Sequence, residues 1–548
     1  MSSRGTLRKS LENSSIKALP KIVKASGRFQ RYLWTMALVI GVTVVGYQLS
    51  NLLQQYFQFS TTINIVSIQG TPPFPDVTLC HMDTNWTNNV LEPNLKGENS
   101  QQNFYHELDQ IQREYKVNSS EWLRILELRT FAGYIQNIHH IHSELDYMAR
   151  LLVIDCIAYP GWILTNCSDL GSALTTTPFI DPVFGFCVTH HFNTTDPIRS
   201  LKMLVHVEGS KHEIHETFNL LDNAAYHTSR SGVRVIIHPR GTFPDIWLRS
   251  ELVLAGHDVA LNLEGTFFSH LKEPYGHCID VVEGTQKAFT TEGTYGYECY
   301  RMCARERILQ ECGCVNLYYA TTEEDRANGN LCGQIDTRNI SMTFERMDCT
   351  IETERSLSDF ETECDCTVPC KHFSYSKESK AQSWPYESYH LSFYEQYIKG
   401  RSFAKPYHVY EELLALSKTD PQLVLEKLKK QTLIRDNFAQ IRILNHQKSY
   451  SHYTDTPLVS IESLFGNMGG LLNLWVGITF ITLIEVIDLM HQLHCEDRAR
   501  KRTSHKRVFE RRKKGRKRKE KSKVNDFILS SFDDTCEYTY HGGTGVAI

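Results

Sequence analysis

Residues 463–485 read SLFGNMGGLLNLWVGITFITLIE, 22 uncharged residues closed by Glu485, with Asp488 three positions later. A helix of that length rises about 33 Å, enough to cross the hydrocarbon layer of a bilayer. A basic run follows, with 16 Lys/Arg and 2 Asp/Glu in residues 498–523. By the positive-inside rule this tail is cytoplasmic. Its place just past a span suits contact with anionic membrane lipids better than contact with nucleic acid.

A second uncharged stretch lies at the other end. Residues 32–75 carry no charge, and their most apolar part runs from Tyr32 to Leu53. Residues 1–31 hold 8 Lys/Arg and 1 Asp/Glu, so the N-terminus is also expected inside. The stretch is too long for a signal peptide and lacks a small-residue cleavage pattern. Five segments are therefore predicted: a cytoplasmic N-terminus (1–31), a transmembrane helix (32–56), an extracellular domain (57–457), a second transmembrane helix (458–492), and a basic, largely disordered cytoplasmic tail (493–548). Outside residues 1–31 and 498–523 the chain carries 35 Lys/Arg and 60 Asp/Glu. An acidic exterior above a pore concentrates cations. This asymmetry excludes a uniformly basic nucleic-acid binder, and the polar overall hydropathy excludes a polytopic transporter.

Of 16 cysteines, all but Cys495 and Cys536 lie between Cys80 and Cys370. An even-numbered cluster confined to one region reads as a disulfide framework in an oxidising compartment. Its Cys-x-Cys pairs do not have the usual zinc spacing. Glycosylation triplets at Asn85, Asn118, Asn166, Asn193 and Asn339 fall in the same region.

The outside region reads as mixed α and β. Residues 57–66, 202–208, 233–237 and 438–444 have strand character. Residues 101–117, 409–416 and 421–433 have helical spacing, the last with Asp420 as N-cap before Pro421. Glu311–Cys314 and Glu363–Cys366 are expected in cross-linked turns, and there is no internal repeat. His212-Glu-Ile-His215 lacks the spacing of a helical zinc hydrolase, and His139-His140-Ile-His142 reads as a solvated cluster. With no nucleophile elbow and no phosphate loop, neither an enzyme nor a cofactor or metal site is expected.

Several motifs, in order, resemble those of the epithelial sodium channel/degenerin superfamily. Phe74-Pro-Asp-Val-Thr-Leu-Cys80 is similar to the family's element after the first span. Pro274-Tyr-Gly-His-Cys278 is similar to its entry into the thumb. Cys299-x3-Cys303, Cys312-x-Cys314 and Cys364-x-Cys366-x3-Cys370 follow its thumb pattern, and Leu464–Glu485 resembles its pore helix.

The resemblance implies an α+β fold. Two transmembrane helices would flank a hand-like, disulfide-rich ectodomain of palm, finger, thumb, knuckle and β-ball. It implies a two-pass plasma-membrane protein that assembles with two further identical or related subunits. Their second spans would line a sodium-preferring pore, in keeping with the physical point that two helices alone cannot enclose a polar path. The family's disulfide ladder, laid on these positions, pairs Cys80–Cys187, Cys156–Cys167, Cys278–Cys370, Cys299–Cys366, Cys303–Cys364, Cys312–Cys349 and Cys314–Cys332.

Gly477-Ile478-Thr479 corresponds to the selectivity filter, with threonine where the family has serine. Asn473, Glu485 and Asp488 would stand at the pore mouths. On a continuous helix at about 100° per residue, Ile478 would align with Glu485 and Gly477 with Asp488. Gly466 takes the gate position where bulky residues hold degenerin pores open, and Tyr56 with Tyr275 takes the aromatic pair that couples thumb to pore. Lys17-Ala18 stands where the family has His-Gly, and Asn473 where it has the glycine associated with amiloride block.

Gly232-Val-Arg-Val-Ile-Ile-His-Pro239, with the Pro274 element, resembles most the invertebrate FMRFamide-gated group. An anionic ectodomain suits a cationic RFamide peptide agonist. Proton gating is the alternative, supplied by 24 histidines and many acids, and constitutive opening is another. The alternative of another class is a membrane-anchored adhesion or ligand-binding protein without a pore.

Overall fold

The computed structural model describes residues 3–498 except 84–85, 88–100, 115–118, 138–141, 162, 195–196, 208–231, 281–295, 320, 322–323, 326–327, 337–338, 357–363, 365 and 496. Asn85, Asn118, His139-His140-Ile141, the His212–His215 stretch and the basic tail beyond residue 498 lie outside the described residues. The chain divides into two compact units, one of residues up to Thr61 with those from Pro457 on, the other Thr62–Thr456.

The larger unit is built on strands β1 (Thr61–Gln69), β2 (Asp76–His81), β3 (Val153–Pro160), β4 (Thr165–Asn166) and β5 (Leu174–Asp181). There follow β6 (Gly185–Phe192), β7 (Ile198–His206), β8 (Val233–His238), β9 (Ser250–Val253) and β10 (His257–Ser269). The last are β11 (Cys278–Ile279), β12 (Val368–Pro369), β13 (Lys371–Ser383), β14 (Phe438–Leu444) and β15 (Ser449–Pro457). One sheet runs β1-β15-β10-β14-β7-β3-β4, with β13 also on β10; a second runs β5-β6-β2-β8-β9.

The strands expected at 233–237 and 438–444 are here, and the one expected at 202–208 is the last part of β7, which ends at His206. The one expected at 57–66 begins only at Thr61, because the preceding helix extends to Phe57. The segment expected as one helix over 421–433 is two, Pro421–Leu428 and Leu433–Asn437. Asp420 caps the first by accepting a hydrogen bond from the Leu423 amide at 3.0 Å.

Alternation and helical spacing account for the cores. Phe104, Leu108 and Ile111, at helical intervals on Gln101–Glu114, are buried with Leu201, Met203 and Val205 of β7 and Ile441 and Ile443 of β14. A second core lies under residues 384–437. There Phe393, Tyr394, Ile398, Tyr410, Leu413, Val424 and Ile434 close over Leu204 and Phe438.

β2 is a central strand paired with β6 and β8, and all its residues are buried, so its polar side chains need internal partners. Thr78 hydroxyl lies 2.8 Å from that of Thr189 and 2.9 Å from His238 Nε2. The buried Asp76 carboxylate accepts from His191 Nδ1 at 2.7 Å and from the Gly241 amide at 2.8 Å. His81 Nδ1 accepts from the Asp83 amide at 3.1 Å, and its Nε2 sits 2.9 Å from the Val207 carbonyl.

Seven disulfides join the larger unit, and they are the seven pairs that the resemblance implied: Cys80–Cys187, Cys156–Cys167, Cys278–Cys370, Cys299–Cys366, Cys303–Cys364, Cys312–Cys349 and Cys314–Cys332. Cys299 and Cys303 sit one turn apart on helix Gly296–Cys312, and Cys312 ties that helix to Ile340–Ser356. Asn166, Asn193 and Asn339 are exposed, as a glycan requires.

Candidate functional site: a broken helix

The smaller unit contains the long helix Arg28–Phe57, the one helix among the described residues long and apolar enough to cross a membrane alone. Against it packs helix Ile461–Trp475, capped by Ser460, whose hydroxyl accepts from the Ser463 amide at 3.1 Å. At Gly41 the two approach so closely that an added Cβ would stand 2.9 Å from the Trp475 carbonyl oxygen. Trp475 Nε1 donates to Gln48 Oε1 at 3.1 Å.

The expectation of one continuous second helix is corrected here. The chain turns by 76° between Ile461–Trp475 and Phe480–Cys495. Gly477 has φ +80°, a left-handed conformation that favours glycine, and its amide folds back onto the Leu472 carbonyl at 3.0 Å. Thr479 and Thr482 pair across the start of the next helix, the Thr479 amide donating to the Thr482 hydroxyl at 3.1 Å. The alignment of Ile478 with Glu485 and of Gly477 with Asp488 on one helical face therefore fails, because Val476–Thr479 leave the helical path. Glu485 and Asp488 still share the second helix, about one turn apart.

The break falls at Gly477-Ile478-Thr479. Helix-terminal carbonyls lose their intrahelical partners and carry the negative end of the dipole. Such oxygens can replace part of a cation's hydration shell.

A segment before the first helix lies against this break. Ser15 donates to the Glu485 carboxylate from its amide, at 3.0 Å, and from its hydroxyl, at 2.5 Å. A Cβ on Gly477 would meet the Lys17 side chain and amide at 3.4 Å. Lys17 thus lies against the bend although this segment lacks the His-Gly pair. Neither periodicity nor charge signalled this contact, which depends on two segments 470 residues apart.

Gly466 is open, with nothing within 4 Å of an added Cβ. It shares with Asn467, Gly470 and Leu471 a cavity of about 440 Å³, whose other wall is Gln48, Asn51, Leu52 and Gln55. Asn473 and Asp488 are exposed, the latter accepting from Gln492 at 2.8 Å. Tyr56 clusters with Phe57 and Phe59 at ring separations of 5.3 and 6.0 Å. Tyr275 sits in a turn before Cys278, its amide bonded to the Lys272 carbonyl at 3.1 Å. The two tyrosines belong to different units.

A two-unit chain with a seven-disulfide α/β unit and a glycine-broken apolar helix pair has the makings of a membrane channel subunit. Comparison with known proteins is specific. The amiloride-sensitive sodium channel family matches residues 10–489, and the chain belongs to that family, the epithelial sodium channel/degenerin group. Members of this family are ion channels, so the chain is a sodium channel of this group rather than an enzyme. Among its relatives is the FMRFamide-activated amiloride-sensitive sodium channel of Cornu aspersum, 25% identical over 545 residues, covering 88% of this chain and 82% of that protein. The degenerin-like protein asic-2 of Caenorhabditis elegans is 22% identical, covering 87% of this chain and 84% of its own length. The human bile acid-sensitive ion channel is also 22% identical, with 87% and 84% covered.

Proposed function

We propose that three such subunits form a sodium-preferring channel in the plasma membrane, with both termini cytoplasmic and an extracellular RFamide-type neuropeptide as agonist. The observation that carries the pore reading is the break at Gly477-Ile478-Thr479, where a left-handed glycine ends one helix and Thr479 begins the next. In this reading the helix pair Ile461–Trp475 and Phe480–Cys495 is the second span, and residues 57–457 are the hand-like ectodomain. Gly466 is the gate, Asn473 lies at the outer mouth, and Glu485 and Asp488 ring the inner one. The Tyr56–Tyr275 pair couples ectodomain to pore. The agonist reading rests on the similarity to the FMRFamide-activated channel and on the acidic ectodomain.

Expression in oocytes, with recording during RFamide application and during acid steps, tests it. A sodium current evoked by peptide at constant pH is expected. A current evoked only by acid would replace the peptide reading by proton gating, and current without any stimulus would replace it by constitutive opening. Surface protein with no current under any condition would support a pore-less adhesion or ligand-binding protein.

A further inference from the structure

Helix Arg28–Phe57 turns one stripe towards helix Ile461–Trp475. Gly41 and Val45 are its buried residues, and Gln48 follows at the same helical spacing. The two helices run antiparallel: Gln48 and Gln55 line a cavity opposite Gly466 and Gly470, while Gly41 meets Trp475. A stripe of this kind packs one helix on another and by itself says nothing of conduction. Trp475 makes the link, because it is the last residue of its helix and stands two before the left-handed Gly477.

Trp475 is held at two points. Its carbonyl oxygen lies so close to Gly41 that a methyl there would stand 2.9 Å from it, a contact that only backbone movement relieves. Its indole Nε1 donates to Gln48 Oε1 at 3.1 Å. Gly41 and Gln48 are about two turns apart on the first helix. One tryptophan reaches both because a helical side chain leans towards its own N-terminus, which here is the Gln48 end. A residue fixed by its backbone and by its ring has little freedom to rotate or slide. Just beyond it, the amides of Gly477 and Ile478 fold back onto the Leu472 carbonyl at 3.0 and 3.1 Å. The place of the break is therefore tied, within one helical turn, to the place of Trp475.

We propose that Gly41 and Gln48 are positioning residues for ion selection: through Trp475, the first helix sets where the carbonyls at the break stand. The proposal rests on the reading of Gly477-Ile478-Thr479 as the filter, and adds that its geometry is fixed from a distant segment of the chain. Both residues act through Trp475 and not through contact with the ion. A bond that merely held the two helices together would change how much channel reaches the surface and leave ion preference alone.

Reversal potentials in sodium and potassium solutions test this, with the full-length chain in oocytes and current evoked by FMRFamide or by acid. Gln48→Met keeps the bulk and removes the acceptor; Trp475→Phe keeps a ring and removes the donor. Each is expected to lower the sodium-to-potassium permeability ratio roughly threefold, the effect of an average hydrogen bond between spans. The double variant should be no lower than the lower single one. Gly41→Ala should lower the ratio as well; if it does not reach the surface, the other variants decide. Wild-type ratios in Gln48→Met and Trp475→Phe overturn the proposal, as do losses that multiply in the double variant. So does an equal loss from Gly46→Ala, on the same helix but with nothing within 4 Å of the added methyl. Gly477→Leu reports on the filter separately. If it alone leaves the ratio unchanged, the filter reading fails and the role of Gln48 stands; if it alone changes the ratio, the filter reading stands and this proposal falls.

Discussion

Acid should weaken the β5-β6-β2-β8-β9 sheet through three histidines that its burial keeps neutral. His81, His190 and His238 are each lowered to about 4, in every case chiefly by desolvation. The Asp76 carboxylate works against that shift at His238 without cancelling it. At His81 the hydrogen bonds to the Val207 and Asp83 backbone likewise favour the proton and do not offset burial. His190 Nδ1 is buried without a partner, and a proton would leave it so.

Because the folded values lie below the unfolded ones, their contribution is complete above about 6.5 and is lost as pH falls towards 4. At pH 5.5, one unit into that window, each histidine should forfeit about 1.4 kcal/mol, and the three together on the order of 4 kcal/mol. The assay is hydrogen exchange of β2, β6 and β8 in the full-length protein from pH 7.5 to 5.5, with His238→Gln and His81→Gln each compared with wild type. Each substitution lowers stability at pH 7.5 but should flatten the acid slope by about one third. A sheet equally protected at both pH values, or a slope unaltered by either substitution, refutes the reasoning.

At the pore, Gly477→Leu should abolish current or change the sodium-to-potassium ratio while surface protein persists. A left-handed non-glycine residue costs about 1–2 kcal/mol, and the leucine would extend beyond a Cβ already in contact with Lys17. Unchanged selectivity in voltage-clamp recordings would separate the filter from this glycine. Gly466→Cys, treated with a cationic thiol reagent, should conduct without agonist, because the open space at Gly466 would be filled by a bulky charge; a channel still closed at rest would contradict the gate assignment. On the proposed coupling, Tyr56→Ala and Tyr275→Ala should each uncouple agonist binding from opening, the double variant being no worse than the worse single one. Additive losses in peptide concentration–response curves would show that the two tyrosines act separately.

What could be read from the sequence followed local physics. Phe438–Leu444 alternates and is a strand with those bounds; Gln101–Glu114 carries its apolar residues at helical intervals and is a helix. The cysteine pairing came from family resemblance, since spacing alone leaves many combinations open. The break at Gly477 was hidden because an uncharged run of 22 residues is equally apolar whether straight or bent. A glycine followed by Thr479 and Thr482 was the available clue, as a helix stop joined to a helix start. The Ser15–Glu485 contact left no such mark, because neither partner's neighbourhood names the other.

The Cys278–Cys370 bridge also has a mechanical meaning. β10 and β13 run antiparallel, with Ser269 opposite Lys371, and the bridge joins their continuations just beyond that pair. Cysteines 92 positions apart are thereby made neighbours, so roughly 300 Å of extensible chain is withheld from any pull along β10 and β13. Tension entering by one strand leaves by the other through a single sulfur–sulfur link. The helices Gly296–Cys312 and Ile340–Ser356 hang outside this load path. In a force spectrometer, a pull applied between β10 and β13 of the oxidised protein should yield a contour length short by that amount, and a reductant should restore it in full only after all the bridges within residues 278–370 have opened.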